Sequence, residues 1–243
     1  MSKEDPHLDL SILILTMNEA LNLAALLPQI DAAAQTLGLN YEIVIIEGGS
    51  LNGTMNTAMA SSKARVLSQT RPGYGGALAE GLASAGGDFI LTMDADCSHD
   101  PSFLATFWKA RNEADVVIGS RYVPGGAADM PLLRKLLSRI LNLFFRYGLS
   151  MPWRDLSSGF RLYRATSVKK IQLQSSNFDV LQEILVMSRA NGSNITEVPI
   201  RYKPRRSGSS HARLLRFGIA YLKTFGRLWR LRKSIRNAHE RIV

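Results

Sequence analysis

A single cysteine, Cys97, stands in 243 residues. The chain can therefore form no intramolecular disulfide and no cysteine-only metal site by itself, and the expectation is a reduced, intracellular chain. No stretch of about 18 apolar, uncharged residues occurs, which argues against a spanning helix. Met1 to Leu10 carries acids and a proline instead of a basic stretch followed by an apolar run, so it does not read as a signal peptide. Internal repeats and low-complexity linkers are missing too. Acids are almost missing from the end of the chain. Residues 201–243 hold 13 Lys/Arg and one acid, Glu240, whereas the first 200 hold 17 Lys/Arg and 19 Asp/Glu. The net charge of +10 thus belongs to the tail. Positive charge concentrated in this way suggests an anionic partner: lipid headgroups, nucleic acid or a phosphorylated substrate. Nucleic acid is set aside, because no recognised binding module accompanies the charge.

The rest is ordinary globular composition, 46% hydrophobic and 21% charged. The pattern predicts one α/β domain over residues 1–211 and a basic, amphipathic helical segment over 212–243. Near-continuous apolar runs such as Ser11-Ile-Leu-Ile-Leu15 and Ile43-Val-Ile-Ile46 suit a mostly parallel sheet with helices on both faces. Strands are expected at 10–15, 42–47, 65–68, 88–93, 115–119, 160–164 and 195–200. Helices are expected at 19–37, 54–62, 74–84, 101–111, 131–147 and 178–191, with a final one of roughly twenty residues after 212. Sheets of this kind bind ligands beyond the carboxyl ends of their strands.

Asp94-Ala-Asp96 closes the strand Asp88-Phe-Ile-Leu-Thr-Met93. Two carboxylates two residues apart can point to one side and share a divalent cation. Magnesium typically takes one or two protein carboxylates and completes its shell with phosphate oxygens and water. An isolated D-x-D is weak and more often a solvated turn; its place at a strand end, followed by Ser98-His-Asp-Pro101, makes it stronger. Gly73, Gly75 and Gly76 would expose backbone donors at a helix start, although an ordinary turn explains them equally well. His99 and His211 are, taken alone, ordinary hydrogen-bonding residues.

Met93-Asp-Ala-Asp-Cys-Ser-His-Asp-Pro101 resembles the metal-binding signature of the polyprenol-phosphate (dolichol-phosphate) mannosyltransferases among the inverting family 2 glycosyltransferases. Further blocks agree in order: Ile14-Leu-Thr-Met-Asn-Glu19, Gly73-Tyr-Gly-Gly-Ala-Leu78, Val117-Ile-Gly-Ser-Arg-Tyr-Val-Pro-Gly-Gly126, Asp155-Leu-Ser-Ser-Gly-Phe-Arg-Leu-Tyr-Arg164, Glu197-Val-Pro-Ile-Arg-Tyr202 and Arg206-Ser-Gly208. The resemblance spans roughly residues 10 to 215 and implies the GT-A fold. It implies that Asp94 and Asp96, with Ser98 as a weaker ligand, hold Mg²⁺ or Mn²⁺. Thr16, Asn18, Glu19, Glu47, Gly49, Gly73 and Gly75 would bind the nucleotide. Arg121, Arg134, Ser138 and Arg206 would bind the acceptor's phosphate, and Asp94, Asp96 and Arg121 would be catalytic. Arginine suits that task because its planar fork donates two parallel hydrogen bonds; read alone, Arg121 and Arg134 are surface ion-pair residues.

The reaction so implied moves a sugar, mannose first, from a nucleotide-sugar donor such as GDP-mannose to a polyprenyl phosphate. The lipid phosphate attacks C1 from the face opposite the leaving nucleotide. A phosphate monoester is nearly dianionic at pH 7, so it needs little help from a general base, and no Ser-His-Asp arrangement is required. Departures from the family gather at the nucleoside end. Leu15 and Met17 replace proline and tyrosine, Glu47-Gly-Gly-Ser50 replaces Asp-Asp-Gly-Ser, Asn52 replaces an aspartate, and His211 replaces a late lysine. They predict altered donor selection. Alternatives are a different sugar, a non-lipid acceptor, or a non-catalytic binding subunit.

The resemblance also implies work at a membrane surface, on its cytoplasmic face, with a separate membrane-anchoring partner as a further option. Arg213, Arg216, Lys223, Arg227 and Arg230 recur on one helical stripe, while Leu214, Phe217, Tyr221, Phe225 and Leu228 line another face. This is the pattern of an interfacial anchor, or else of a surface helix packed on the domain. In 131–147 most of the apolar residues (Leu132, Leu133, Leu136, Leu137, Ile140, Leu141, Phe144 and Phe145) are expected to pack in the core; flanked by Arg134, Lys135, Arg139 and Arg146, they are alternatively a second interfacial surface, of the kind a polyprenyl acceptor would need.

Overall fold

The two apolar runs lie side by side as inner strands of one sheet. The computed structural model describes residues 7–51, 53–59, 61–204 and 222–233. In chain order its elements are β1 (Leu10–Thr16), α1 (Ala20–Thr36), β2 (Tyr41–Glu47), α2 (Thr54–Met59), β3 (Ala64–Ser68), α3 (Gly73–Ser84) and β4 (Phe89–Asp94). A short 3₁₀ turn, Pro101–Phe103, then leads into α4 (Leu104–Ala110), β5 (Val116–Ser120), β6 (Ala127–Ala128), α5 (Leu132–Gly148), β7 (Arg161–Arg164), α6 (Ala165–Val168), α7 (Val180–Ala190), β8 (Ile195–Pro199) and β9 (Arg201–Tyr202). Residues 222–233 form a further helix, α8.

Seven strands make the main sheet in the order β3-β2-β1-β4-β7-β5-β8, and β6 and β9 form a separate parallel pair. Alternation within each strand splits the core in two. Leu13, Val44 and Ile46 face Leu78, Leu82, Phe145, Ile184 and Leu228 on one side. Ile12, Ile14, Ile43 and Ile45 face Leu23, Leu26, Leu104 and Phe107 on the other. Both faces of the inner strands are covered, which is why β1 and β2 read as near-continuous apolar runs.

β1 pairs in parallel with β2 on one side and β4 on the other, so the connection from β3 to β4 crosses back over β1. The register places Thr16 opposite Glu47, and Leu15 opposite Asp94. The nucleotide and metal candidates thus end neighbouring strands at one edge, where a ligand crevice forms. β7 runs antiparallel between β4 and β5. Its reversed direction brings the incoming segment, residues 155–160, to the same edge.

Two expectations are corrected. Most of the apolar residues of α5 do not pack in the core; Phe145 does, and Leu141 lies partly buried against it. Ser138, Asn142, Phe145 and Leu149, spaced four, three and four apart, form the narrow stripe that meets the domain. Leu132 is 84% exposed and Leu133 69%, with Leu136, Leu137, Ile140, Leu143 and Phe144 also exposed. On α8, Arg227 does not share an outward basic stripe with Lys223 and Arg230: it faces the domain and pairs with Glu183. Thr224 and Leu228 are buried beside it. The earlier part of the expected terminal helix, with Arg213, Arg216, Leu214, Phe217 and Tyr221, lies outside the described residues, as do Asn52, Arg206 and His211.

Candidate active site

The nucleotide candidates converge because two loops are stitched together. Asn18, at φ 60°, donates its N–H to Ser50 Oγ (2.7 Å) and accepts from the Leu51 N–H through Oδ1 (3.1 Å). The Glu19 N–H reaches Thr54 Oγ1 at 3.0 Å. Glu47 folds back on its own turn, one oxygen accepting from the Gly49 N–H and the other from the Ser50 N–H, each at 2.8 Å; the Ser50 hydroxyl donates to it as well. Burial pushes the Glu47 carboxyl up, but these donors more than offset it and hold it below the usual range. Glu47 therefore shapes the loop with both oxygens. Space beside it is already taken: a Cβ on Gly48 would lie 3.1 Å from both Gln69 Oε1 and Met17 Cε. Gln69 in turn donates to the Gly73 carbonyl at 2.8 Å, joining this corner to the start of α3.

At the acidic loop, Asp94 is the last residue of β4 and its side chain is 37% exposed. His99, fully buried and stacked on Phe160, accepts the Asp94 N–H through Nδ1 at 3.0 Å. Its Nε2 is therefore the protonated nitrogen of the neutral ring, and it lies 3.7 Å from Asp94 Oδ2. Burial lowers the tendency of this ring to take a second proton. Cys97, at φ 63°, turns the chain so that Asp96 Oδ1 accepts the Ser98 N–H at 3.0 Å. The Ser98 hydroxyl is wholly buried, next to the Tyr202 phenol. Two carboxylates and a hydroxyl within five residues form a hard-oxygen donor set that fits Mg²⁺ or Mn²⁺. Among the described residues no three His, Cys, Asp or Glu side chains are grouped to hold a metal ion.

Asp94 and the acceptor candidates are joined by Tyr202, whose phenol is pushed up by burial and then by the nearby Asp94 and Asp96 carboxylates. Tyr202 also lines a cavity of about 350 Å³ with Asp129, Met130, Pro131, Arg134 and Pro204. The exposed Arg134 faces this cavity from the first turn of α5. Arg121 is placed differently. Its Nε and Nη2 grip Asp155 Oδ2 and Oδ1, each at 2.7 Å, and Nη2 also donates to Ser157 Oγ at 2.8 Å. Asn142 on α5 donates to Ser157 Oγ (3.0 Å) and accepts the Leu156 N–H (2.8 Å). Ser138 accepts from the Tyr122 hydroxyl at 2.9 Å. Glu197 receives the N–H groups of Arg154 and Asp155 at 2.8 and 2.9 Å. Under the loop, the wholly buried Arg161 donates to the carbonyls of Leu181 and Leu156. The sequence reading assigned no role to Asp155, His99, Asn142, Glu197 or Tyr202. All but Asn142 fall inside the motif blocks; the signal for Asn142 is its place four residues after Ser138 in a helix that is mostly apolar and basic.

A largely parallel sheet bearing an acidic loop on its carboxyl edge, with the Asn18–Ser50 corner on one side and the cavity lined by Arg134 and Asp129 on the other, has the architecture of a GT-A type α/β protein. Solved structures with this fold agree. Glucosyl-3-phosphoglycerate synthase from Mycobacterium tuberculosis, crystallised with Mn²⁺, UDP-glucose and phosphoglyceric acid, superposes with a TM-score of 0.70 at 19% identity, over 91% of this chain and 80% of that one. The family description "Glycosyl transferase family 2" matches residues 11–172, and the chain belongs to that family. It is 36% identical over 208 residues to a dolichol-phosphate mannosyltransferase of Pyrococcus furiosus, covering 82% of this chain but 58% of that protein. It is 31% identical to a polyprenol monophosphomannose synthase of Mycolicibacterium smegmatis, over 93% of this chain and 91% of the other.

Proposed function

We propose that this protein transfers a sugar, mannose in the first instance, from a nucleotide diphosphate donor to a polyprenyl phosphate at a membrane surface. One observation carries the reading. The cavity holding Arg134 lies between Tyr202, beside Asp94 and Asp96, and the first turn of α5, whose exposed side is leucine-rich and interrupted by Arg134, Lys135 and Arg139. A lipid phosphate needs such a junction: an arginine for its head, here with the neighbouring Asp129 matched by Arg201 at 2.8 Å, next to an apolar surface for its chain. No described helix is long and apolar enough to cross a membrane, so contact would come through an interfacial surface such as this.

In the proposed reaction Arg134 receives the acceptor phosphate. Arg121 supports the pocket wall by fixing residues 155–157. The loop joining Asn18, Glu47 and Ser50 and the turn opening α3 flank the nucleoside and diphosphate. Asp94, Asp96 and Ser98 would hold a divalent cation, which when bound neutralises charge on a departing diphosphate. His99 fixes the Asp94 backbone. The chain's contribution is to orient a phosphate that is already nucleophilic and to keep its charge balanced. A second reading, a donor other than GDP-mannose, is favoured by Glu47, which has both oxygens engaged in its own turn, and by the crowding at Gly48.

The test is to incubate the protein with Mg²⁺ or Mn²⁺, polyprenyl phosphate and a panel of labelled sugar nucleotides, then count label in the organic phase. Lipid-extractable label from GDP-mannose is the expected result. Label from another donor selects the second reading. Label only in water-soluble product, or none at all, overturns the lipid acceptor.

A further inference from the structure

α8 lies far along the sequence from the donor corner, yet a continuous chain of contacts links them. Leu228 is fully buried, Thr224 donates to Asp179, and the Phe225 ring lies 4.5 Å from that of Phe144 on α5. So seated, α8 directs Arg227 at residues 174–175. Its Nη1 donates to Glu183 Oε1 (2.5 Å) and Gln174 Oε1 (3.1 Å), and Nη2 to Ser175 Oγ (2.6 Å). Glu183 on α7, only 2% exposed, also receives the N–H groups of Gln174 and Ser175, the latter at 2.8 Å. Arginine and glutamate thus clamp this loop from two helices.

The far side of the same loop supports the start of α3. The Ser176 carbonyl accepts the Gly75 N–H at 2.9 Å. The approach is so close that a Cβ on Gly75 would lie 2.1 Å from the Ser175 carbonyl oxygen. Tyr74 stacks on Phe178 with ring centroids 4.3 Å apart. Backbone against backbone leaves no flexible side-chain end to absorb a shift, so a displaced loop displaces the turn.

We infer that Arg227 is a positioning residue for the donor site, setting the Gly73–Gly75 turn through the loop at 174–176. Seating of the basic C-terminal helix is thereby coupled to nucleotide binding on the far side of α7. The inference rests on the reading of the α3 turn as part of the donor site. Lysine at 227 would keep the charge but lacks the fork that bridges Glu183, Gln174 and Ser175 together.

The experiment uses the full chain and the variants Arg227→Ala, Arg227→Lys and Arg230→Ala, the last removing equal charge from an exposed position on the same helix. Two quantities are measured: hydrogen exchange of the Gly75 amide, and affinity for GDP and for UDP with Mn²⁺. Arg227→Ala is expected to speed Gly75 exchange and weaken nucleotide binding on the order of tenfold. Arg227→Lys should fall between it and wild type, and Arg230→Ala should match wild type. Wild-type exchange and affinity in a folded Arg227→Ala or Arg227→Lys protein overturn the inference. A wild-type chain that binds neither nucleotide overturns the donor reading instead, and Gly75 exchange alone then decides whether Arg227 holds the turn.

Discussion

Arg121 holds Asp155 through two parallel hydrogen bonds of 2.7 Å, and the aspartate is fully buried. Burial pushes the Asp155 carboxyl up, and the charges of Arg121 and Arg161 with the Arg121 hydrogen bonds more than reverse it, leaving it below the usual range. Its stabilising contribution is therefore fully present above the ordinary aspartate pKa of about 3.9 and is lost as pH falls through the depressed value. Removing one partner leaves the other charge buried. Asp155→Ala should cost about 3–5 kcal/mol in chemical denaturation at neutral pH. The difference from wild type should shrink as the medium is acidified. An equal denaturation midpoint for the two proteins would remove the pair from the account of this loop.

Asp96 presents a different balance. It is buried and one oxygen accepts the Ser98 N–H. Asp96→Asn can keep that acceptor while removing the charge a cation needs, whereas alanine would also strand the amide. Asp96→Asn should therefore unfold at the wild-type temperature but lose saturable Mn²⁺ binding, read by calorimetry, together with metal-dependent transfer. Retained Mn²⁺ affinity would move the cation elsewhere.

The inner strands of the sheet were legible because β1 and β2 are buried on both faces and so are nearly continuously apolar and β-branched. The acidic loop was legible because Asp94 directly follows such a run. Asp155 was harder to read, since its importance depends on β7 inserting antiparallel between β4 and β5, a reversal that no local pattern announces. α5 misled for a related reason. Leucines such as Leu132 and Leu136 look the same in sequence whether they face a core or a bilayer, and only the polar stripe of Ser138 and Asn142 marks which side meets protein. Arg227 likewise carries nothing in its neighbourhood to announce Glu183.

Arg134 and Arg121 should separate kinetically. Arg134 is exposed and lines the cavity, so Arg134→Gln should raise the KM for polyprenyl phosphate on the order of tenfold or more, the value of one charged hydrogen-bond contact. Stability and donor affinity should stay near wild type. Arg121→Gln should lower stability first, because it strands Asp155. If Arg134→Gln leaves the acceptor KM unchanged, the cavity is not the phosphate site.

The exposed side of α5 makes the membrane proposal quantitative. Fully burying one leucine contributes about 1.5–3 kcal/mol, and each basic residue near an anionic leaflet about 1 kcal/mol. Leu132, Leu133, Leu136 and Ile140 with Arg134, Lys135 and Arg139 could together hold the protein on a bilayer without a spanning segment. Replacing Leu133, Leu136 and Ile140 by glutamate removes apolar area and adds repulsion, while touching little of the folded interior because all three are exposed. The triple variant should keep its melting temperature and its nucleotide affinity but lose sedimentation with anionic vesicles. Transfer to a short, water-soluble polyprenyl phosphate should survive better than transfer to a long one in vesicles. Unchanged sedimentation would assign membrane contact to another part of the chain, and equal loss on both acceptors would show that this face supports the site itself and not its approach to the lipid.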